Sequence, residues 1–244
     1  MVKIKIKVAK TGQKVSPGSN LTFNSENIVD RRYEKLRLNA ISVVESQLNR
    51  CVFEDIHAES VNLGDGIIQS RYEDCVFTNC NFIFGSVGNV RLINCRFKRC
   101  SLLNLVGGTL EMIGCTFADT RIERAVFHAT SPRLAFYSPV RSDNEFYDND
   151  FSSAELLDVD FRGGIDLYSQ RLPSGESYIF VADTCKAAEL AGKLQIDNLH
   201  PGESARLKST VSLLKFYCSS GQKHQLLATR SMGGLAKHLR GVLQ

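Results

Sequence analysis

From Ser70 to Ala129 the chain repeats in blocks of five: SRYED, CVFTN, CNFIF, GSVGN, VRLIN, CRFKR, CSLLN, LVGGT, LEMIG, CTFAD, TRIER, AVFHA. The third position holds Tyr72, Phe77, Phe82, Val87, Leu92, Phe97, Leu102, Gly107, Met112, Phe117, Ile122 and Phe127, apolar everywhere except Gly107. The first position is mostly small or apolar, as at Cys75, Cys80, Val90, Cys95, Cys100, Leu110, Cys115 and Ala125. An amphipathic helix spaces its apolar residues by three and four, and a half-buried strand spaces them by two. A strict five fits neither. It needs a chain that turns a corner every five residues and points positions one and three inward.

Four such corners close a coil of twenty. That longer period is visible where Cys75-Val-Phe77, Cys95-Arg-Phe97 and Cys115-Thr-Phe117 recur. A single coil cannot bury its own apolar face, so coils must stack into a solenoid. At the strand spacing of about 4.8 Å, cysteine then lies on cysteine and phenylalanine on phenylalanine. The fives also run from LTFNS (21–25) to VNLGD (61–65), centred on Phe23, Ile28, Tyr33, Leu38, Val43, Leu48, Phe53, Ala58 and Leu63. Cys51 to Cys75 is one coil plus four residues, which places a small bulge at Gly66 to Gln69. Pro132 and Pro139 interrupt the register, so 130–143 reads as an inserted side loop. The fives return from NEFYD (144–148) to GIDLY and end where a centre becomes Asp166. Gly64, Gly85, Gly88, Gly107 and Gly108 gather on one side, where positive φ would allow a tighter turn.

These blocks, with AELLDVDFRG the closest match, resemble the pentapeptide-repeat family, whose consensus is roughly A-(D/N)-L-x-x. The resemblance covers about residues 21 to 168. It implies a mostly β fold, a right-handed quadrilateral β-helix. Members of one subgroup imitate duplex DNA, bind bacterial DNA gyrase or topoisomerase IV, modulate quinolone sensitivity, and dimerise through C-terminal helices. This chain departs from that subgroup in the arginines of its early coils and in a C-terminal region of about 75 residues.

Outside the repeats, Val2, Ile4, Ile6 and Val8 alternate with Lys3, Lys5 and Lys7, which predicts an edge strand with a cationic outer face. With the loop to Asn20 it forms an N-terminal cap, 1–20. The β-helix is 21–168. Residues 169–244 form a mainly helical C-terminal region, predicted to hold a strand at 177–182 and a helix at about Thr184 to Leu194. A longer helix follows Pro201, with Leu207, Val211, Leu214 and Cys218 on one face. The last begins near Ser231, with Met232, Leu235, Leu239 and Val242 in a stripe. These helices are expected to cap the open end of the solenoid, which solenoids require. They are also candidates for a homodimer interface.

The eight cysteines invite a zinc reading at the paired C-x4-C spacings. Cys51, Cys75, Cys80, Cys95, Cys100 and Cys115 all fall at position one, however, where a small buried hydrophobe is needed. We expect packing, no metal and no cofactor. No apolar run is long enough to span a bilayer. The lysine-interrupted N-terminus is no signal peptide. The expected location is therefore cytoplasmic, where disulfides are rare; Cys185 and Cys218 stay unassigned.

No Gly-rich phosphate loop, nucleophile elbow or zinc-protease motif is present. The histidines His57, His128, His200, His224 and His238 are dispersed. An enzyme is not expected. Charge is uneven: residues 1–35 hold eight basic and three acidic groups, 36–168 twelve and eighteen, and 169–244 ten and five. Arg91, Arg96, Lys98, Arg99, Arg121 and Arg124 suggest a basic patch on the early coils. Acid gathers late, at Asp143, Glu145, Asp148, Asp150, Glu155, Asp158 and Asp160, the candidate partner-binding residues. The leading expectation is a protein-interaction scaffold binding through polar walls and the side loop. DNA mimicry toward a topoisomerase is the alternative, and direct nucleic-acid binding is a weaker third.

Overall fold

The computed structural model describes residues 18–130, 142–194 and 201–243. The expected N-terminal strand at 2–8, and the side loop apart from its ends, lie outside them. The rest is a mostly β, quadrilateral β-helix closed at one end by helices. Its strands pair in parallel at the expected offset, as Phe97 does with Phe77 and Phe117. We number the walls from Arg31. The first holds 31–35, 51–55, 75–79, 95–99, 115–119 and 149–153. The second, third and fourth begin at 36, 41 and 46. The fourth is a separate six-stranded sheet, which Asn27–Val29 and Phe146–Tyr147 bound.

Every expected centre from Phe23 to Phe127 is buried. On the first wall, Tyr33, Phe53, Phe77, Phe97, Phe117 and Phe151 form one aromatic ladder. Successive ring centroids lie 5.1, 4.8, 4.6, 4.9 and 4.7 Å apart, and the rings are near parallel. Beside it the cysteines stack. Each thiol donates to a carbonyl of the preceding coil, as Cys75 Sγ does to Leu48 O (3.5 Å) and Cys95 Sγ to Tyr72 O (3.6 Å). Burial pushes the Cys95 thiol well above its ordinary range. Where the stack passes from cysteine to Asn149 and Thr120, these side chains accept from the backbone N–H of Cys115 and Cys100.

The corners obey one rule that the period alone does not show. Among the described residues, every non-glycine residue with positive φ sits at position five, including Asp30, Asp55, Asp74, Asn79, Asn94, Asn104, Asp119, Asp148 and Asp158. Position five is a left-handed residue, and Asp and Asn tolerate that conformation best after glycine. Gly114 and Gly163 occupy the same position.

The third-wall glycines have a different reason from the one expected. Of Gly64, Gly85, Gly88 and Gly107, only Gly88 has positive φ. The common requirement at Gly64, Gly88 and Gly107 is close approach. A Cβ on Gly64 would overlap the Asn89 carbonyl, one on Gly88 the Gly64 carbonyl, and one on Gly107 would meet Leu110 Cβ at 2.7 Å. Just beyond Gly64, the four extra residues form the predicted bulge. Glu45 Oε1 accepts from the N–H of Ile67 (3.0 Å) and Ile68 (3.2 Å), holding both isoleucines outward at 76% and 62% exposure.

The stack runs slightly past Asp166. A one-residue slip after Gly163 and Gly164 buries Ile165 and Leu167 and leaves Asp166 outside, accepting from Tyr168 N–H. Gln170 then meets Asn149, and Arg171 pairs with Asp150. Strand Tyr178–Val181 follows, antiparallel to Gln225–Ala228, a partner the sequence reading lacked. Helices α1 (Thr184–Gly192), α2 (Pro201–Ser219) and α3 (Leu235–Leu243) form a second core around Ala188, Leu214, Leu235 and Leu239.

Side chains fasten this cap to the backbone left open by the final coil. Gln222 accepts from Gly164 and Ile165 N–H and donates to Ile165 O. Gln225 donates to Phe161 O, and Tyr178 Oη accepts from Leu156 N–H. A disulfide, expected to be rare, occurs in this cap, at the two cysteines that the sequence left unassigned. Cys185 of α1 and Cys218 of α2 are bonded, while the six solenoid cysteines are free and buried. The helices face each other through these residues, and a pairing made by helix packing across 33 residues leaves no trace in repeat spacing.

Candidate partner-binding surface

In a solenoid of twenty-residue coils, surface neighbours lie about twenty positions apart, and sequence neighbours turn onto different walls. That decides the fate of the seven acidic residues. Asp143 accepts from Ser142 Oγ (2.7 Å) at the loop end, where Thr130 and Asp143 form an antiparallel bridge. Glu145 lies on the fourth wall, 2.5 Å from Arg91, which also meets the buried Glu111 at 3.0 Å. Asp148 is the exposed left-handed corner that follows. Asp150 lies on the first wall, 3.1 Å from Arg171. Glu155 lies on the second, 3.9 Å from Arg121 and 3.8 Å from Arg230. Asp158 is the next corner, and Asp160 the start of the third wall, paired with Arg162.

The acidic run therefore winds once around the molecule. Four of its carboxylates face arginines. Exposed pairs of this kind contribute little stability, yet they cancel the local field that an acidic face would project. The expected basic patch divides in the same way. Arg91 and Arg121 are paired, while Arg96 and Lys98 on the first wall have no ionic partner among the described residues.

Of these acidic residues, Asp158 and Asp160 line a concave surface together. There the last coil faces α2 across a cleft of about 400 Å³. Tyr217 Oη donates to Asp160 Oδ1 at 2.5 Å, and burial, with this bond, pushes the phenol well above its ordinary range. Leu213 and Arg206 of α2 line the outer side. A shallower groove continues from the same two aspartates along the second-to-third corner, past Val126 to Val106, which is 57% exposed. Arg162 also lies over the exposed Phe216 ring, 5.3 Å from its centroid. The surface is thus mixed: apolar side chains on the floor, carboxylates and guanidinium groups on the rim. Leu213 and Phe216 were the missed residues. Their signal was a second apolar edge on α2, off the Leu207–Val211–Leu214–Cys218 face.

No protein-family model matches the sequence, and no curated protein matches it. Among solved structures, the chain is similar to QnrB1, a plasmid-mediated fluoroquinolone resistance protein, at 11% identity, covering 64% of this chain and 79% of that one, with a TM-score of 0.15. No helix among the described residues is long and apolar enough to cross a membrane.

Proposed function

We propose that the protein is a non-enzymatic interaction scaffold. It holds a partner protein along the groove that runs from Val106 over Asp158 and Asp160 to α2. The observation that carries this reading is that two adjoining concavities share Asp158 and Asp160, one carrying exposed Leu213 and the other exposed Val106. An apolar floor with a charged rim is the usual anatomy of a protein interface. Polar walls supply the remaining contacts.

The test is affinity capture with wild type and with Leu213→Glu/Asp158→Arg, followed by titration of the purified captured protein. Binding should weaken at least about tenfold in the variant, as for loss of a buried contact and a rim charge. Equal binding of both forms would place the interface elsewhere.

Topoisomerase engagement by DNA mimicry is the second reading, supported only by the surplus of acid on the last coil. The ion pairs to Arg91, Arg121, Arg162 and Arg171 count against it, because a phosphate mimic needs unneutralised carboxylates in a column. A gyrase supercoiling assay with the protein titrated in, with and without quinolone, separates the two. Inhibition or protection at stoichiometric concentration would select mimicry.

A further inference from the structure

The disulfide is the one cysteine feature among the described residues that the stacked core does not explain. Six cysteines are packed in the solenoid at 0 to 4% exposure, with their thiols turned to backbone carbonyls. Cys185 is exposed and Cys218 half-buried, and they join α1 to α2 with Cα atoms 4.8 Å apart. A disulfide open to solvent exchanges with external thiols far more readily than a buried one.

What the bond holds matters as much as its access. In the 19-residue α2 only Leu214 and Tyr217 are fully buried. Leu207 and Val211 are partly covered against the cap core, and most of the remaining side chains face water. Most helical stability in proteins comes from tertiary packing rather than propensity, so α2 depends on its attachments. Two of them are adjacent in sequence: Tyr217, hydrogen-bonded to Asp160 of the last coil, and Cys218, disulfide-bonded to α1. α1 is the better anchored partner. Asp183 caps it by accepting from Cys185 and Lys186 N–H, and Ala187, Ala188 and Ala191 are buried. The disulfide therefore ties the less buried helix to the better anchored one, next to Tyr217 at the cleft.

We propose that Cys185–Cys218 is a redox-exchange site for a dithiol reductant, and that its state sets whether α2 is clamped over the cleft at Asp158 and Asp160. In the exchange one S–S bond breaks here, and thiols form at Cys185 and Cys218. The dithiol gives up two electrons and two protons and closes its own S–S bond. Reduced, α2 keeps only its non-covalent attachments, the buried Leu214 and Tyr217 and the partly covered Leu207 and Val211, and the cleft widens. The proposal does not depend on which partner the groove binds.

The experiment treats the native full chain with dithiothreitol, traps thiols with a maleimide, and follows hydrogen exchange in both redox states. Two adducts are expected natively, at Cys185 and Cys218, against eight in denaturant. Amides of 206–218 should exchange at least about tenfold faster after reduction, with the solenoid unchanged, and the slow rates should return on re-oxidation. Cys185→Ser/Cys218→Ser should sit permanently in the fast state. The proposal is overturned if the bond resists dithiothreitol without denaturant, since it is then a fixed staple. It is equally overturned if reduction leaves α2 exchange unchanged, or if the solenoid cysteines label alongside the pair.

Discussion

Phe97→Ala probes the stacked core most directly. The ring is buried between Phe77 at 4.6 Å and Phe117 at 4.9 Å, both within a few degrees of parallel. Removing a buried phenylalanine costs about 3–5 kcal/mol through lost transfer energy and the cavity left behind. Two aromatic contacts disappear together, each worth about 0.5–1.5 kcal/mol beyond area burial. The rigid coils above and below cannot collapse into the gap, because strand pairing fixes their spacing. The cost should therefore lie near the top of the range, about 5 kcal/mol. Phe97→Leu, which fills most of the volume but ends the stacking, should lose about 1–3 kcal/mol. The chain has no tryptophan, so urea titrations should be followed by circular dichroism and tyrosine fluorescence. A loss below about 1 kcal/mol for Phe97→Ala, or equal losses for Ala and Leu, would refute the ladder as the source of stability.

At the corner Asp119, with φ of 50°, a valine should cost about 1–2 kcal/mol while a glycine should be near neutral. Thermal melts of the two variants distinguish a backbone requirement from a side-chain one. Gly88→Ala should lower the melting temperature sharply or prevent folding, because its Cβ would occupy the space of the Gly64 carbonyl; solubility and melting point check this. Burial, aided by Arg162, lowers the His128 pKa below its ordinary 6.5. The unfolded chain then binds the proton more readily, so stability should fall as pH drops through and below about 6.5. His128→Gln should flatten that slope in melts between pH 7.5 and 5.

Much of the fold was legible in residues that alternate around a corner. Cys75, Phe77 and their equivalents declare both the inward positions and the coil length, because a core built of stacked rungs repeats its own sequence. The left-handed corners were half legible, since Asp and Asn recur there but Arg50, Arg99 and Arg124 share the conformation. The surface was not. Asp148, Asp150, Glu155 and Asp160 look like a cluster in sequence, yet the coil distributes them over different walls. The cleft depends on Tyr217 meeting Asp160 across 57 positions, and the cap on Gln222 and Gln225 standing in for a missing strand. Such contacts carry no period, and a reading based on period cannot find them.

The bulge at Gly66 to Gln69 adds four residues, yet Phe53 and Phe77 still stack at 4.8 Å as if nothing intervened. The corner works as a socket. Whatever is plugged in there changes what the molecule presents to its surroundings, while the stack beneath is unaware of it. A peptide grafted between Asp65 and Ser70 should thus be displayed at a fixed height and heading, with the rest of the protein serving as its stand.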